Sequence, residues 1–146
     1  MSSPKPQSFE NHARIVPLYH GFATPIFAAN VIWWVYRCLT AFSGDALMAL
    51  LLGLAILTLH VYARVFALTV QDRVIRLEMK FRIQELLPPE VARRFDEFTV
   101  KQLVALRFAG DSELAALAAK VLSDRTDDPK AIKRMVKDWQ ADHLRA

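Results

Sequence analysis

The 146-residue chain is 53% hydrophobic and 23% charged, and its mean hydropathy of +0.18 lies above that of ordinary soluble domains. Nineteen Lys and Arg residues against fifteen Asp and Glu residues give a formal net charge of +4, too small an excess to indicate a nucleic-acid-binding protein. The single cysteine, Cys38, excludes an internal disulfide and a cysteine-based metal site. This composition favours a membrane protein.

The first predicted membrane span follows a short amino-terminal segment, residues 1–14. The 22 residues from Ile15 to Tyr36 carry no formal charge, and a helix of that length reaches about 33 Å, enough to cross the hydrocarbon core. We therefore predict a span over residues 15–37. Polar residues and two prolines interrupt this stretch, so a buried helix of a soluble protein is the alternative. A cleavable signal peptide is disfavoured because the preceding region is long and mixed in charge.

The second predicted span is more uniformly apolar. Ala46 to Ala63 is uncharged and rich in leucine, and a span over 46–70 forms if Arg64 extends toward the headgroups or pairs with Glu10. The connection between the spans is short and contains Ser43-Gly44. It requires an antiparallel helical hairpin over residues 15–70.

The distribution of basic residues predicts the orientation of this hairpin. Only Arg37 lies between the spans, whereas several basic residues lie before the first span and after the second: Lys5, Arg14, Arg73, Arg76, Lys80 and Arg82. Basic residues accumulate on the cytoplasmic side of membrane proteins. Both termini are therefore predicted to lie in the cytoplasm, with residues 71–146 as a cytoplasmic helical region.

The second span is predicted to continue as a long juxtamembrane helix as far as Pro88-Pro89, because no Gly or Pro interrupts residues 72–87. Two adjacent apolar stripes follow helical spacing, one formed by Val70, Val74, Leu77 and Phe81 and the other by Ile75, Met79, Ile83 and Leu86. Arg73, Arg76 and Lys80 form a basic stripe. This stripe is interpreted as a solvated face, with anionic headgroups or an acidic partner as alternatives.

Three shorter helices are predicted beyond the prolines. Thr99 and Gln102 fit a capping box for a helix ending near Gly110, and Asp111 or Ser112 is expected to cap the next helix. Asp128-Pro129 is expected to start a last helix whose apolar face carries Ile132, Met135, Val136 and Trp139. A region this small is expected to dock onto the long helix or onto a second copy.

Polar residues at membrane depth are the candidate binding residues. His20 and His60 fall in the cytoplasmic leaflet and could ligate haem or a metal, or relay protons. Hydrogen bonding across the hairpin is the favoured interpretation, so no cofactor is expected. Lipid or anion contact is expected at Arg14, Arg64, Arg73, Arg76 and Lys80. Small residues, among them Gly21 and Gly53, predict close approach of the two spans.

Three separated motifs resemble a known family. They are Asn11-His12-Ala13-Arg14 with Pro17-Leu18-Tyr19-His20, then Leu106-Arg107-Phe108-Ala109 with Asp111 and Glu113-Leu114, then Ile132-Lys133 with Trp139-Gln140-Ala141-Asp142-His143. This pattern is similar to an uncharacterised family of small bacterial membrane proteins, a domain of unknown function. Gly110 stands where the resemblance leads us to expect serine. The resemblance implies two spans in the bacterial inner membrane, and it carries over no catalytic residues because no activity is known for the family.

The sequence contains no phosphate-binding glycine loop, no nucleophilic triad and no HExxH motif. We therefore expect an all-α membrane protein that is not an enzyme. Its expected role is an accessory or scaffold subunit that contacts membrane lipids and docks a protein partner, or a second copy, through its cytoplasmic helices. The alternative is a ligand-, haem- or proton-binding membrane module that uses His20 and His60.

Overall fold

The computed structural model describes residues 8–10 and 16–142. The chain divides into two compact units, one comprising Arg14–Leu68 and the other Met1–Ala13 together with Thr69–Ala146. The described residues form helices and one isolated β-bridge, with no strand. The predicted all-α class is therefore confirmed.

The described helices begin with a π-helical segment, Pro17–Ala23, and include a short 3₁₀ turn, Phe95–Glu97. The α-helices are α1 (Thr24–Thr40), α2 (Gly44–Leu86), α3 (Pro89–Ala92), α4 (Val100–Leu106), α5 (Asp111–Asp124) and α6 (Pro129–Met135). The long helix and its end before Pro88-Pro89 agree with the prediction. Of the helices in the described part of the chain, one, α2, is long and apolar enough to cross a membrane, and its most apolar window has a mean hydropathy of 2.2.

The first predicted span is not a single regular α-helix. The Thr24 N–H bonds to the Tyr19 carbonyl, five residues back, instead of the carbonyl four residues back. Pro25 explains this change, because its ring lacks an N–H and would collide with the preceding turn of an α-helix. A wider π turn accommodates the ring. The α-helical part extends beyond the predicted boundary to Thr40.

Within the unit Arg14–Leu68, α1 and the first part of α2 form an antiparallel hairpin. The Ser43 hydroxyl accepts the Ala46 N–H (3.1 Å) at the start of α2. Gly53 is buried, and a Cβ at this position would lie 2.7 Å from Asn30 Oδ1, so the predicted close approach is confirmed there. It is wrong at Gly21, where a Cβ would meet nothing within 4 Å.

The second unit has its own hydrophobic core. One apolar stripe of α2 is buried in this core through Ile75, Met79 and Ile83, with Leu87 just beyond the helix. Their buried partners come from the later helices and turns and include Phe95, Leu103, Leu106, Leu114, Val121 and Ile132. The expected docking of these helices onto the long helix is therefore confirmed. The other stripe, from Val70 to Phe81, is exposed. At about 3.6 residues per turn the two stripes lie on opposite sides of the helix, so their predicted adjacency is wrong.

Two helix starts match the sequence signals and one does not. The capping box between Thr99 and Gln102 is present, and the Asp128 carboxylate accepts the N–H groups of Lys130 and Ala131. The prediction for α5 was wrong, because its N-cap is Gly110 and has no side-chain cap. Asp111 instead binds Arg82 of α2, which draws its carboxylate away from the helix end.

The predicted face of the last helix also needs correction. Helix α6 ends at Met135, so Trp139 lies beyond the helix and not on its apolar face. The chain there forms an isolated antiparallel bridge between Trp139 and Ala109. The Trp139 ring stacks on Phe108 with the ring centroids 4.6 Å apart. This aromatic contact and the bridge stop the helix from continuing to residue 139.

Truncating the buried stripe of α2 should destabilise the carboxy-terminal unit. Ile83 is fully buried, so we expect Ile83→Ala to lower the free energy of unfolding by about 2–5 kcal/mol. Leu86→Ala is the matched control on the same helix, because Leu86 is exposed, and should cost less than about 1 kcal/mol. Chemical denaturation of the full chain in detergent measures both values. Equal losses would contradict the assignment of the buried stripe.

Candidate functional site

The unit Arg14–Leu68 contains a polar cluster between α2 and the π-helical segment, which we call the Tyr19–His60 cluster: Tyr19, Thr24, Phe27, His60 and Arg64. The Tyr19 and His60 rings are stacked, with centroids 3.9 Å apart and planes at 16°. Tyr19 also donates its hydroxyl hydrogen to the His60 carbonyl (2.6 Å). Phe27 contacts the same imidazole edge-on. Tyr19 and Phe27 thus contact the imidazole of His60 on α2 from the π-helical segment and from α1.

The hydrogen bonds assign the proton on His60. The Thr24 hydroxyl donates to the Tyr19 carbonyl (2.7 Å), and its oxygen lies 2.9 Å from His60 Nε2. Because a hydroxyl has only one hydrogen to donate, Nε2 must carry a proton and donate it to Thr24. His60 therefore makes the hydrogen bond across the hairpin that the sequence favoured over ligand binding.

The structure does not place His20 in this arrangement. The His20 ring is exposed, and its Nδ1 lies 3.2 Å from the Val16 nitrogen and 3.1 Å from the Val16 carbonyl oxygen. Tyr19 contacts both imidazoles, His20 edge-on and His60 face-on. Among residues 8–10 and 16–142, no group of three or more His, Cys, Asp or Glu side chains is arranged to hold a metal. Ligand binding by His20 and His60 stays a prediction.

The basic residues expected to contact lipid or anions have different surroundings. Arg64 lies over the Tyr19 ring, with its guanidinium carbon 5.6 Å from the ring centroid. Arg76 forms an exposed ion pair with Asp96 (3.4 Å), whereas Arg73 and Lys80 are exposed. All three residues of the basic stripe are therefore exposed, and Arg76 in addition pairs with an acidic side chain of its own unit. Arg14 lies outside the described residues.

A second polar arrangement, centred on Arg82, connects α2 to the turn between α4 and α5. The Arg82 side chain is 19% exposed. Its guanidinium donates to the carbonyls of Arg107 (3.1 Å) and Ala109 (2.6 Å) and to the Asp111 carboxylate (2.6 and 2.9 Å). A planar guanidinium can serve these three acceptors at once, and an ammonium group has no such fork. We call Arg82 and residues 107–111 the Arg82 turn.

The segment after α6 packs against the Arg82 turn. Gly110 donates its N–H to the Asp138 carbonyl (2.8 Å), and Gln140 donates its N–H to the Phe108 carbonyl (2.8 Å). A Cβ at position 110 would collide with the Asp138 carboxylate. The Glu113 carboxylate accepts the N–H groups of Lys137 (3.1 Å) and Asp138 (3.0 Å). The second and third motifs of the family resemblance thus meet in space.

Sequence reasoning missed the role of Arg82. The sequence indicated Arg82 only as one of several basic residues that follow the second predicted span. Arg82 falls three residues after Met79 and next to Ile83, both of which are buried, so it lies at the margin of the buried face. That position is the only sequence signal for a structural arginine.

One exposed ion pair has shifted pKa values. Arg94 donates two hydrogen bonds to the Glu97 carboxylate, each 2.8 Å long. They lower the pKa of Glu97, and the same hydrogen bonds with the Glu97 charge raise the pKa of Arg94. A lowered carboxyl pKa stabilises the folded state above the unfolded pKa, and this contribution is lost as the pH falls through the folded value. The pair is structural and belongs to neither polar arrangement.

These observations define the class of the protein: an all-helical chain with one long apolar helix, in which each unit is held by buried or stacked side chains. A family model described as "Family of unknown function (DUF6526)" matches residues 1–146, and the chain belongs to this family. The predicted membership of a family of unknown function is thereby confirmed. No curated protein and no solved structure shows a significant match to the chain.

Thr24 can be tested as the acceptor for His60. Thr24→Val keeps the shape but leaves the His60 Nε2–H without this acceptor, so we expect a loss of about 1 kcal/mol of stability. Thr24→Ser keeps the hydroxyl and should stay close to the wild type. Thermal unfolding of the full chain in detergent compares the three proteins. Equal stability of the two variants would rule out the assigned hydrogen bond.

Arg82 can be tested by a change that keeps its charge. Arg82→Lys cannot reach all three acceptors, and we expect it to cost about 1–3 kcal/mol because turn carbonyls lose their donor. Arg76→Lys is the matched control, since the Arg76 ion pair is exposed, and should be nearly neutral. Denaturant unfolding measures both. An Arg82→Lys variant as stable as the wild type would show that the branched hydrogen bonds of the guanidinium do not stabilise the fold.

Proposed function

We propose that this chain is a non-enzymatic accessory or scaffold protein of the bacterial inner membrane. A two-span hairpin over residues 15–70 anchors it, and residues 71–146 form a cytoplasmic region that docks a partner. The observation that carries this proposal is the distribution of exposed apolar side chains, which differs between the two units.

In the unit Arg14–Leu68, large apolar side chains are exposed along the π-helical segment, α1, the connection and the first part of α2. Examples are Leu18, Phe22, Ile32, Leu39, Phe42, Met48, Leu59 and Phe66. Only 11% of the most apolar window of α2 is buried. Exposed apolar surface on this scale is typical of contact with lipid or protein and is rare on soluble monomers. Lipid contact on the outside of the hairpin accounts for it.

The polar groups of this hairpin support the same proposal. In hydrocarbon, polar groups require partners within the protein. The hydroxyls of Tyr19 and Thr24 and the Nε2 of His60 all have such partners. Arg64 lies one turn beyond His60, where its aliphatic stem can cross the apolar layer and its guanidinium can reach lipid phosphates. We expect Arg14 to contact the same headgroup layer, whereas Arg73 and Lys80 lie nine and sixteen residues beyond Arg64, about 14 and 24 Å further along α2.

In the second unit, exposed apolar side chains are concentrated on one stripe of α2. Helices α4, α5 and α6 bury their apolar faces in the common core. The stripe formed by Val70, Val74, Leu77 and Phe81 is 49–62% exposed. We define these four residues as the α2 stripe. An exposed apolar row of this kind, outside the closed hydrophobic core, favours docking of a partner on the long helix.

The topology can be tested with cysteines of defined position. In a Cys38→Ser background, Phe42→Cys places a thiol in the connection between α1 and α2, and Lys120→Cys places one on α5. We expect a membrane-impermeant maleimide to label residue 42 in intact bacterial spheroplasts. Residue 120 should be labelled only after permeabilisation, because both termini are proposed to lie in the cytoplasm.

Extraction of the membranes with alkaline carbonate completes this experiment. An anchored hairpin stays in the pellet, and a soluble or peripheral chain is released. Release of the wild-type chain would overturn the membrane proposal. Equal labelling of residues 42 and 120 before permeabilisation would overturn the two-span topology while leaving membrane insertion intact.

A further inference from the structure

We infer that the α2 stripe is the interface with a second copy of this chain, and that the two copies pair as a parallel, two-stranded coiled coil over residues 70–85. This inference deepens the proposed function by naming the docking partner. It is carried by the spacing of the stripe, its exposure, and the charges that flank it.

The stripe has the spacing of a coiled-coil seam. Its members, Val70, Val74, Leu77 and Phe81, are separated by four, three and four residues, which is the alternation of positions d, a, d and a in a heptad. A β-branched residue at a, Val74, followed by leucine at d, Leu77, favours two strands over higher oligomers.

The opposite side of this helix is already occupied. Ile75, Met79 and Ile83 lie in the core of their own unit, on the helix face opposite the stripe. The exposed fractions of the stripe residues are 61% for Val70, 49% for Val74, 55% for Leu77 and 62% for Phe81. The helix therefore offers one apolar face to a partner, and that face is the seam.

Charges flank the seam with opposite sign on its two sides. Arg73 and Lys80 occupy the g positions, and Glu78 and Glu85 occupy the e positions. All four side chains are exposed, and none forms an ion pair with another side chain in the described part of the chain. They are available to a partner helix.

The charge pattern specifies a parallel pair. In a parallel coiled coil, a g residue faces the e residue five positions further along the partner. Arg73 then faces Glu78 of the second copy and Lys80 faces Glu85, and symmetry repeats both pairs. In an antiparallel pair, g faces g and e faces e, which brings like charges together. Complementarity therefore exists only between two copies that point in the same direction.

Two heptads are short for a coiled coil in dilute solution. Here the inference rests on the proposed function, because two copies inserted in one membrane share an orientation and a high effective concentration. A membrane-anchored hairpin would impose the same parallel direction that the charges specify.

Charge reversal tests the partner. Arg73→Glu with Lys80→Glu makes both flanks acidic, and Glu78→Lys with Glu85→Lys makes both flanks basic. Each double variant alone should lose self-association by about tenfold or more, because four ion pairs become repulsive. Co-expression of the two variants should restore pairing, since opposite flanks then meet. Co-purification of differently tagged full-length chains in mild detergent measures the pairing.

The matched control is Lys101→Glu with Lys120→Glu, an equal charge change at exposed positions outside α2. It should leave self-association at the wild-type level. The inference is overturned if the wild type does not self-associate, if the double variants pair as the wild type does, or if the mixture of complementary variants stays unpaired.

Cysteine cross-linking tests the direction of pairing. In a Cys38→Ser background, Val70→Cys and Phe81→Cys should each form disulfide-linked dimers alone, because equivalent residues meet in a parallel pair. An antiparallel pair would place residue 70 beside residue 81 and separate equivalent residues by about 16 Å. Cross-links only in the mixture, or none above a Lys120→Cys control, would overturn the parallel dimer.

Carbonate extraction of the same membranes separates the two possible failures. A chain that stays in the membrane and remains monomeric overturns the dimer alone and leaves the anchored scaffold in place. A chain released by carbonate overturns the proposed membrane function, whatever its oligomeric state.

Discussion

The organisation of this protein follows from one constraint on its long helix. Between residues 70 and 86, α2 has apolar residues on two opposite sides, and the small helical region that follows covers one of them. Ile75, Met79 and Ile83 are buried in the hydrophobic core of the carboxy-terminal unit, whereas the α2 stripe is exposed. Burial of the first face stabilises the carboxy-terminal unit, and the exposed second face is the surface that we propose pairs with a second copy.

Polar contacts then fix the position of the later helices on the buried face of α2. Arg82 binds two carbonyls and one carboxylate of the turn between α4 and α5, so the turn can hold only one position along α2. The segment after α6 packs on that turn through the bridge between Ala109 and Trp139. In the hairpin, His60 has the corresponding role, since its stacking and hydrogen bonds join α2 to the π-helical segment.

Local signals in the sequence predicted local structure well. The Thr99 capping box, the Asp128 cap and the end of α2 at Pro88-Pro89 depend on neighbouring residues only, and all three are present. The predictions that were wrong depend on contacts between residues that are distant in the sequence. Asp111 does not cap α5 because Arg82, 29 residues earlier, binds its carboxylate. For the candidate site, spacing indicated His60 and its bond across the hairpin, but it could not separate His60 from the exposed His20.

We propose that α2 passes from lipid into water near residue 70 and that a second copy covers the α2 stripe beyond that point. A spin-label scan of residues 46–86 in lipid vesicles, with accessibility to oxygen and to a water-soluble nickel complex, tests it most directly. We expect high oxygen accessibility on the outer face up to about residue 70. Beyond it, nickel accessibility should rise with a helical period and stay low at residues 74, 77 and 81. High nickel accessibility throughout residues 46–70 would contradict the account.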